Sequence, residues 1–477
     1  MVINHITFSH RISLDRKTAP AFSALSPSMA VDMKRKISGF LLLIAGLTLA
    51  PVALVNAAPV IQHWQTTNGA RVYFVPAPEL PMVDVSVIFD AGGARDEEGK
   101  GGISQLTSGL LEDGAGNLAD HLSGDQIAEH FEGLGAQFSA HAGGEMATVS
   151  LRSLSKPAIL KPALDVMALI LRQPTFPQDS FERERKRMLI SLRQQKESPE
   201  QIAALAFDKA VYGDHPYGAP PLGTEATVNA LTRDDAVKYH GRYYVANNAI
   251  IAIVGALDRA QAQVLAETLV GGLPQGDVPP PLPRVGDLAA AKTITIEHPS
   301  AQTHILIGQP GINRADPDYF ALYVGNHTLG GSGLVSRLSE EIREKRGLSY
   351  SVYSYFAPMR DRGPFTLGLQ TRNEKAAEAT QVVRNVLVDF VAKGPTTKEL
   401  YASKQNITGG FPLRIDTNKK IIGYIGMIGF YNMPLNYLDT FIGRIEAVTL
   451  PQIQDAFKRR IQPDKMVTVM VGRAVMK

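Results

Sequence analysis

The sequence predicts an α+β chain made of two duplicated halves, each an antiparallel sheet with helices packed on one face. Three observations predict it. Strand-like and helix-like segments occur in mixed blocks without regular βαβ alternation. The stretch 232–255 lies without gaps over 449–472, matching Arg242 to Arg459, Val254 to Val471 and Gly255 to Gly472. Between the halves runs a proline-rich seam, Leu273-Pro-Gln-Gly-Asp-Val-Pro-Pro-Pro-Leu-Pro283, whose prolines cannot donate to ladders and favour an extended spacer. The expected domains are therefore 58–272 and 287–477, joined by a linker over 273–286.

The elements follow from periodicity. In the first half, 71–75, 83–90 and 145–154 alternate apolar and polar residues like half-buried strands. Apolar spacing of three and four predicts helices over 103–111, 124–134, 157–171 and 181–196. The second half repeats the theme, with strands at 303–308, 350–356 and 365–370 and helices at 319–329, 335–343 and 376–391. The duplicated stretch reads in both copies as a helix and then a short β-branched run stopped by glycine, 249–255 and 466–472. Each is expected to be a well-buried strand closing its half.

The N-terminus reads as a leader over residues 1–57. Lys34-Arg35-Lys36 precede an uncharged run whose apolar centre, Phe40-Leu-Leu-Leu-Ile44, is broken by Pro51 and followed by small residues around Val55-Asn-Ala57. This is the form of a secretory signal, with cleavage expected after Ala57 and both Met1 and Met33 open as starts. The apolar stretch is shorter than the roughly 20 residues a spanning helix needs, so no stable membrane insertion is expected after processing. Without the leader the chain carries 43 basic and 44 acidic residues, which removes the electrostatic case for a nucleic-acid partner. The expected location is periplasmic or secreted.

The chain has 477 residues, 44% of them hydrophobic and none of them cysteine, so packed cores are expected while disulfides, thiolate metal sites and a cysteine nucleophile are excluded. A metal would need His and carboxylates. Among His63, His121, His130, His141, His215, His240, His298, His304 and His327, no two stand three or four apart as a helical zinc pair requires. Glu112-Asp113 and Glu182/Glu184 read as solvated helix charges. Neither G-x-S-x-G nor a Walker loop is present.

Chemistry concentrates in Gly330-Gly-Ser-Gly-Leu-Val-Ser-Arg-Leu-Ser-Glu-Glu-Ile-Arg-Glu-Lys-Arg-Gly-Leu-Ser-Tyr-Ser-Val-Tyr353. A glycine loop leads into a basic helix capped at Gly347, and a strand follows from Tyr350. Helix end and strand start can present the Arg343 cation and the Tyr350 phenol together, to polarise a carbonyl or hold an oxyanion. Gly330, Gly331 and Gly333 read as a loop that lets a substrate backbone approach closely.

This segment resembles the Arg/Tyr motif of the M16 (pitrilysin-like, inverzincin) metallopeptidases, M16B type, with Arg343 and Tyr350 at the family's spacing of seven. The resemblance covers the duplicated halves, the linker, the glycine loop and the stretch Ala91-Gly-Gly-Ala-Arg-Asp-Glu-Glu-Gly-Lys-Gly-Gly-Ile103, which is similar to the family's approach to its zinc helix. Where that family carries H-x-x-E-H this chain has Gln105-Leu-Thr-Ser-Gly109. Gln105, Ser108 and Gly109 stand at the zinc and general-base positions, and Ser191 at the third ligand.

The resemblance implies half of a clamshell chamber. It implies a non-catalytic subunit that binds no cofactor itself and supplies Arg343 and Tyr350 in trans to a homologous partner holding zinc on an intact H-x-x-E-H. Peptide or unfolded protein would be the substrate. The alternatives are a catalytically inert peptide-binding or scaffold protein, which has no need of the Arg/Tyr pair, and an independent enzyme of unfamiliar chemistry.

Overall fold

The computed structural model describes residues 59–117 and 120–473; the expected signal sequence and its cleavage point lie outside them. The strands of the first half are β1 (Gln62–Gln65), β2 (Arg71–Pro76), β3 (Met82–Phe89), a two-residue hairpin β4 (Gly114–Ala115) and β5 (Leu122–Ser123), β6 (Gln137–Ala142), β7 (Ala147–Leu154) and β8 (Ala249–Gly255). Those of the second are β9 (Lys292–Glu297), β10 (Gln302–Pro310), β11 (Val352–Phe356), β12 (Pro364–Arg372) and β13 (Val467–Gly472). The first sheet runs β1-β2-β8-β3-β7-β6 and the second, read from its far edge, β9-β13-β10-β12-β11. Apart from β1 the orders are the same, so the duplication seen in 232–255 and 449–472 extends to topology.

Both sheets are antiparallel except for one pair each, β2 with β8 and β9 with β13, which are parallel. The closing strand causes this. β8 is antiparallel to β3 and inserts between it and β2, so it runs with one neighbour and against the other. Thr232 and Thr449 open the helices leading to the closing strands, and each accepts a bond from the backbone three residues on in a capping box.

Each sheet carries its own half's helices on one face, as the periodicity predicts, and its other face is covered by a helix of the opposite half. The face of the first sheet carrying Val72, Phe74, Val85 and Ile251 packs on the first half's own helices. Its opposite face, with Tyr73, Ile88, Ile250 and Ala252, is covered by Asn418–Phe430, a helix of the second half. In return Pro199–Tyr212 of the first half lies across β10 and β13, where Phe207 and Val211 meet Val467, Val469 and Val471. A strand roofed on both faces must be apolar at consecutive positions, which is why β8 reads Ala-Ile-Ile-Ala-Ile-Val and is buried throughout.

The halves are also joined by polar contacts. Glu145, buried beside β7, accepts hydrogen bonds from the Tyr217 hydroxyl at 2.6 Å, the Tyr431 hydroxyl at 2.8 Å and the Arg360 amide at 3.1 Å. The proline-rich seam is strapped down, with Arg95 bonded to the Pro280 carbonyl (2.7 Å) and His215 to that of Pro283 (2.9 Å).

Candidate functional site

The first candidate element is the helix Ile103–Gly109. Asp96 caps it, its carboxylate accepting from the Gly102 amide at 2.6 Å and the Ser104 amide at 3.1 Å. Each of the four positions read as degenerate has acquired an internal role or none at all. Gln105 turns its amide to the Ala142 carbonyl on edge strand β6, at 2.6 Å. Ser108 is sealed, with the Tyr244 hydroxyl beside it. Gly109 packs against the helix Gln178–Glu197, where a β-carbon would stand 2.7 Å from Glu184 Oε1. Ser191, further along that helix, bonds back to the Arg187 carbonyl at 3.1 Å.

Glu184 corrects the sequence reading of a solvated charge. It is buried, and the Arg187 guanidinium holds both its oxygens, one at 2.6 Å. The signal was available in the i, i+3 spacing of Glu184 and Arg187. One carboxylate already neutralised by arginine, with no imidazole nearby in the ligand positions, does not fit a zinc ion. Among the described residues no group of three His, Asp or Glu side chains converges to hold a metal. The histidines bond locally instead: His63 to the Val72 carbonyl, His240 to that of Leu171, and His327 to Ser403 and Asn406.

The second candidate element differs from its prediction in backbone form. The glycine segment is a π-helical turn, His327–Gly331, then a 3-10 turn, Gly333–Val335, and Arg343 lies in a second π-helical turn, Ser339–Glu344. π turns that interrupt helices are frequent at functional sites. Gly347 ends the turn with φ +59°, its amide bonded to the Arg343 carbonyl (3.0 Å) and that of Leu348 to the Ile342 carbonyl (2.9 Å), so the cap reading holds.

The strand opens at Val352, two residues after its predicted start. Tyr350 therefore sits in a bend, 89% exposed, between Ser349 and Ser351, which bond to each other across it. Glu341 binds Lys345 and Arg346, whereas the Arg343 guanidinium has only Glu344 near it, at 3.5 Å. Arg343 is thus the most loosely paired cation of the segment among the described residues, and Tyr350 its most exposed phenol.

The glycines separate by role. Gly330 is buried, and a β-carbon there would collide with Ser354, so packing rather than backbone access explains it, contrary to the expectation for a substrate loop. Gly331 lies against Asn326, whose amide donates to the Ser354 carbonyl at 2.9 Å. Gly333 is open, with φ +62°, and is followed by exposed Leu334 and Val335. Asn326, from the end of a helix, bonds to edge strand β11 as Gln105 bonds to β6, and the two edges are topological counterparts.

Comparison with known proteins gives the family and the fold. Residues 71–225 match the family model described as Insulinase (Peptidase family M16), and residues 230–407 the one described as Peptidase M16 inactive domain. The crystal structure of a peptidase M16 inactive domain from Pseudomonas fluorescens superposes with a TM-score of 0.83 at 39% identity, over 87% of this chain and 99% of that one. YmxG of Bacillus subtilis, an uncharacterized zinc protease, is 25% identical over 408 residues, 85% of this chain and 96% of its own length. The periplasmic protease PqqL from Escherichia coli shares the fold at 16% identity and a TM-score of 0.73, over 87% of this chain but 46% of that one.

Proposed function

We propose that this chain, which belongs to peptidase family M16, is the non-catalytic subunit of a heterodimeric zinc endopeptidase. It lends Arg343 and Tyr350 in trans to a homologous partner whose own H-x-x-E-H holds the metal. One contrast supports the reading: every position aligned with the zinc site makes a contact within the chain or is sealed, while Tyr350 is exposed and half-buried Arg343 has only the loose Glu344 contact among the described residues. A pure scaffold has no use for that pair.

The substrate in this reading is a peptide or unfolded protein, and assembly takes place after export, in the periplasm or outside the cell. As the scissile carbonyl oxygen gains charge at the partner's metal, the Tyr350 hydroxyl and the Arg343 guanidinium stabilise it in a chamber closed to water. Loss of one such donor typically costs about 100- to 1000-fold in rate.

The test uses the purified chain and a homologue bearing H-x-x-E-H. The chain alone is expected to hold no stoichiometric zinc and to cleave nothing, and to form a 1:1 complex with the homologue. Tyr350→Phe is expected to lower kcat of the complex by about 100-fold or more with assembly intact. Wild-type turnover per intact heterodimer in that variant overturns the trans role and leaves the scaffold reading.

A further inference from the structure

Two guanidinium groups of the second half have no carboxylate partner among the described residues, and they converge on one set of tyrosines. Arg314 follows β10. Its guanidinium stands 5.4 Å from the ring centroid of Tyr431 and 5.7 Å from that of Tyr319, and reaches the Tyr319 hydroxyl only at 3.5 Å. Its Nε is buried without any hydrogen-bond partner. Arg414 ends the exposed turn Pro412–Arg414, donates to the Tyr323 hydroxyl at 2.7 Å and lies against the Tyr424 hydroxyl. Tyr319 and Tyr323 are one turn apart on the helix Tyr319–Asn326, with rings stacked 5.9 Å apart at 8°. Tyr424, from the helix Asn418–Phe430, feels both cations.

The carboxylates that might neutralise this cluster are engaged elsewhere. Glu145 is held by Tyr217, Tyr431 and the Arg360 amide. Asp316 and Asp318 are bound by Arg460 and Arg459, and Asp416 by Lys420. Two planar guanidinium forks left without an anion, one of them with a buried unpaired N–H, are an incomplete carboxylate site, because arginine binds carboxylate through paired, charge-assisted hydrogen bonds. The tyrosines complete the donor set. Tyr323 accepts from Arg414 through its oxygen, which leaves its own O–H proton to donate. Burial raises the pKa of Tyr323 and Tyr424, so both phenols stay protonated at neutral pH.

We infer that Arg314, Arg414, Tyr323 and Tyr424 form a binding site for a carboxylate of the peptide substrate. This rests on the peptide reading above, but not on the role of Tyr350. The carboxylate comes either from an acidic side chain or from the free C-terminus, and three peptides of one length separate the sources: a glutamate-containing peptide with an amidated C-terminus, its glutamine analogue with a free C-terminus, and the same analogue amidated.

Calorimetric titration of the whole chain at low salt is expected to show one of the two carboxylate peptides binding about tenfold or more tighter than the neutral one, the range for a hydrogen bond to a charged group. Arg414→Met, on an exposed turn and so compatible with folding, is expected to abolish that advantage, and Arg314→Met to do the same where the variant folds. Tyr350→Phe is expected to leave it unchanged. Equal binding of all three peptides, binding of none, or an advantage that survives Arg414→Met overturns the site. Carboxylate-dependent binding alongside undiminished turnover in Tyr350→Phe would instead count against the trans role alone.

Discussion

The residues at the positions aligned with the family's zinc site are not idle: Gln105 and Ser191 bond within the chain, and Ser108 and Gly109 pack. Gln105 ties the helix Ile103–Gly109 to edge strand β6 through the Ala142 carbonyl, so Gln105→Ala is expected to cost about 1 kcal/mol in urea unfolding. Restoring the motif should not restore the metal. In a Gln105→His, Ser108→Glu, Gly109→His variant the new side chain at 109 meets Glu184, which Arg187 holds in place, and the third ligand position is still Ser191. We expect such a chain to be destabilised by about 1–3 kcal/mol through overpacking and buried charge, and to contain no stoichiometric zinc by metal analysis.

A second residue-scale expectation concerns acid. His240, stacked on Tyr244 and bonded to the Leu171 carbonyl, has its pKa lowered by burial to about 4. The unfolded chain titrates near 6.5, so the native state favours neutral imidazole. The contribution is complete above pH 6.5 and is lost as pH falls toward 4, amounting to about 3 kcal/mol across that window. Asp96, raised to about 7 by burial, works in the same window with the opposite sign, because its native form takes up a proton the unfolded chain has already lost. Chemical unfolding between pH 4 and 7 should therefore separate them by substitution: His240→Gln flattens the acid-side loss, and Asp96→Asn steepens it.

At the scale of elements, the helix Asn418–Phe430 shows how a weak sequence signal becomes a firm structural one. Its Gly426 and Gly429 face the first sheet, where β-carbons would stand 2.6 Å from Ile88 Cδ1 and Ile250 Cγ2. Gly429→Val is expected to push the helix off the sheet and cost about 1–3 kcal/mol, read as a lower denaturant midpoint. That helix was not legible in the sequence, and neither was Pro199–Tyr212. Each is apolar or glycine-bearing on several faces, because its partner belongs to the other half. Periodicity reports amphipathic elements that face their own core, as it does for Pro157–Arg172 and Ala376–Lys393. Edge strand β6, with Ser139, Ala140 and His141, has too little β-branching to stand out, and β8 stands out because it is buried on both faces. In the candidate site residue type and spacing single out Arg343, Tyr350, Gln105, Ser108, Gly109 and Ser191 for attention, whereas the π turns and the partners of Gln105 and Glu184 were not legible. The former depend on residue type and spacing, and the latter on contacts between elements distant in the chain.

At the scale of the molecule, the exchange of helices makes the halves mutually dependent. Each sheet would expose an apolar face without the other half, and Glu145 would lose Tyr431 and the Arg360 amide. Residues 58–286 or 287–477 expressed alone are therefore expected to be aggregation-prone and to lack a cooperative thermal transition, while co-expression of the two recovers a soluble pair. A fragment that unfolds cooperatively by itself, by calorimetry, would contradict this. The same dependence means a substitution in one half, such as Gly429→Val, should lower the stability of both together and leave a single transition.

The exchanged helices are Pro199–Tyr212 and Asn418–Phe430, and Ile103–Gly109 is not one of them. That segment is nonetheless embedded in the first half's own core through Ile103 and Leu106, with Ser104, Thr107 and Ser108 sealed beside them. Substitutions at its buried positions therefore carry a stability cost of their own, which the exchange of helices between the halves does nothing to shelter.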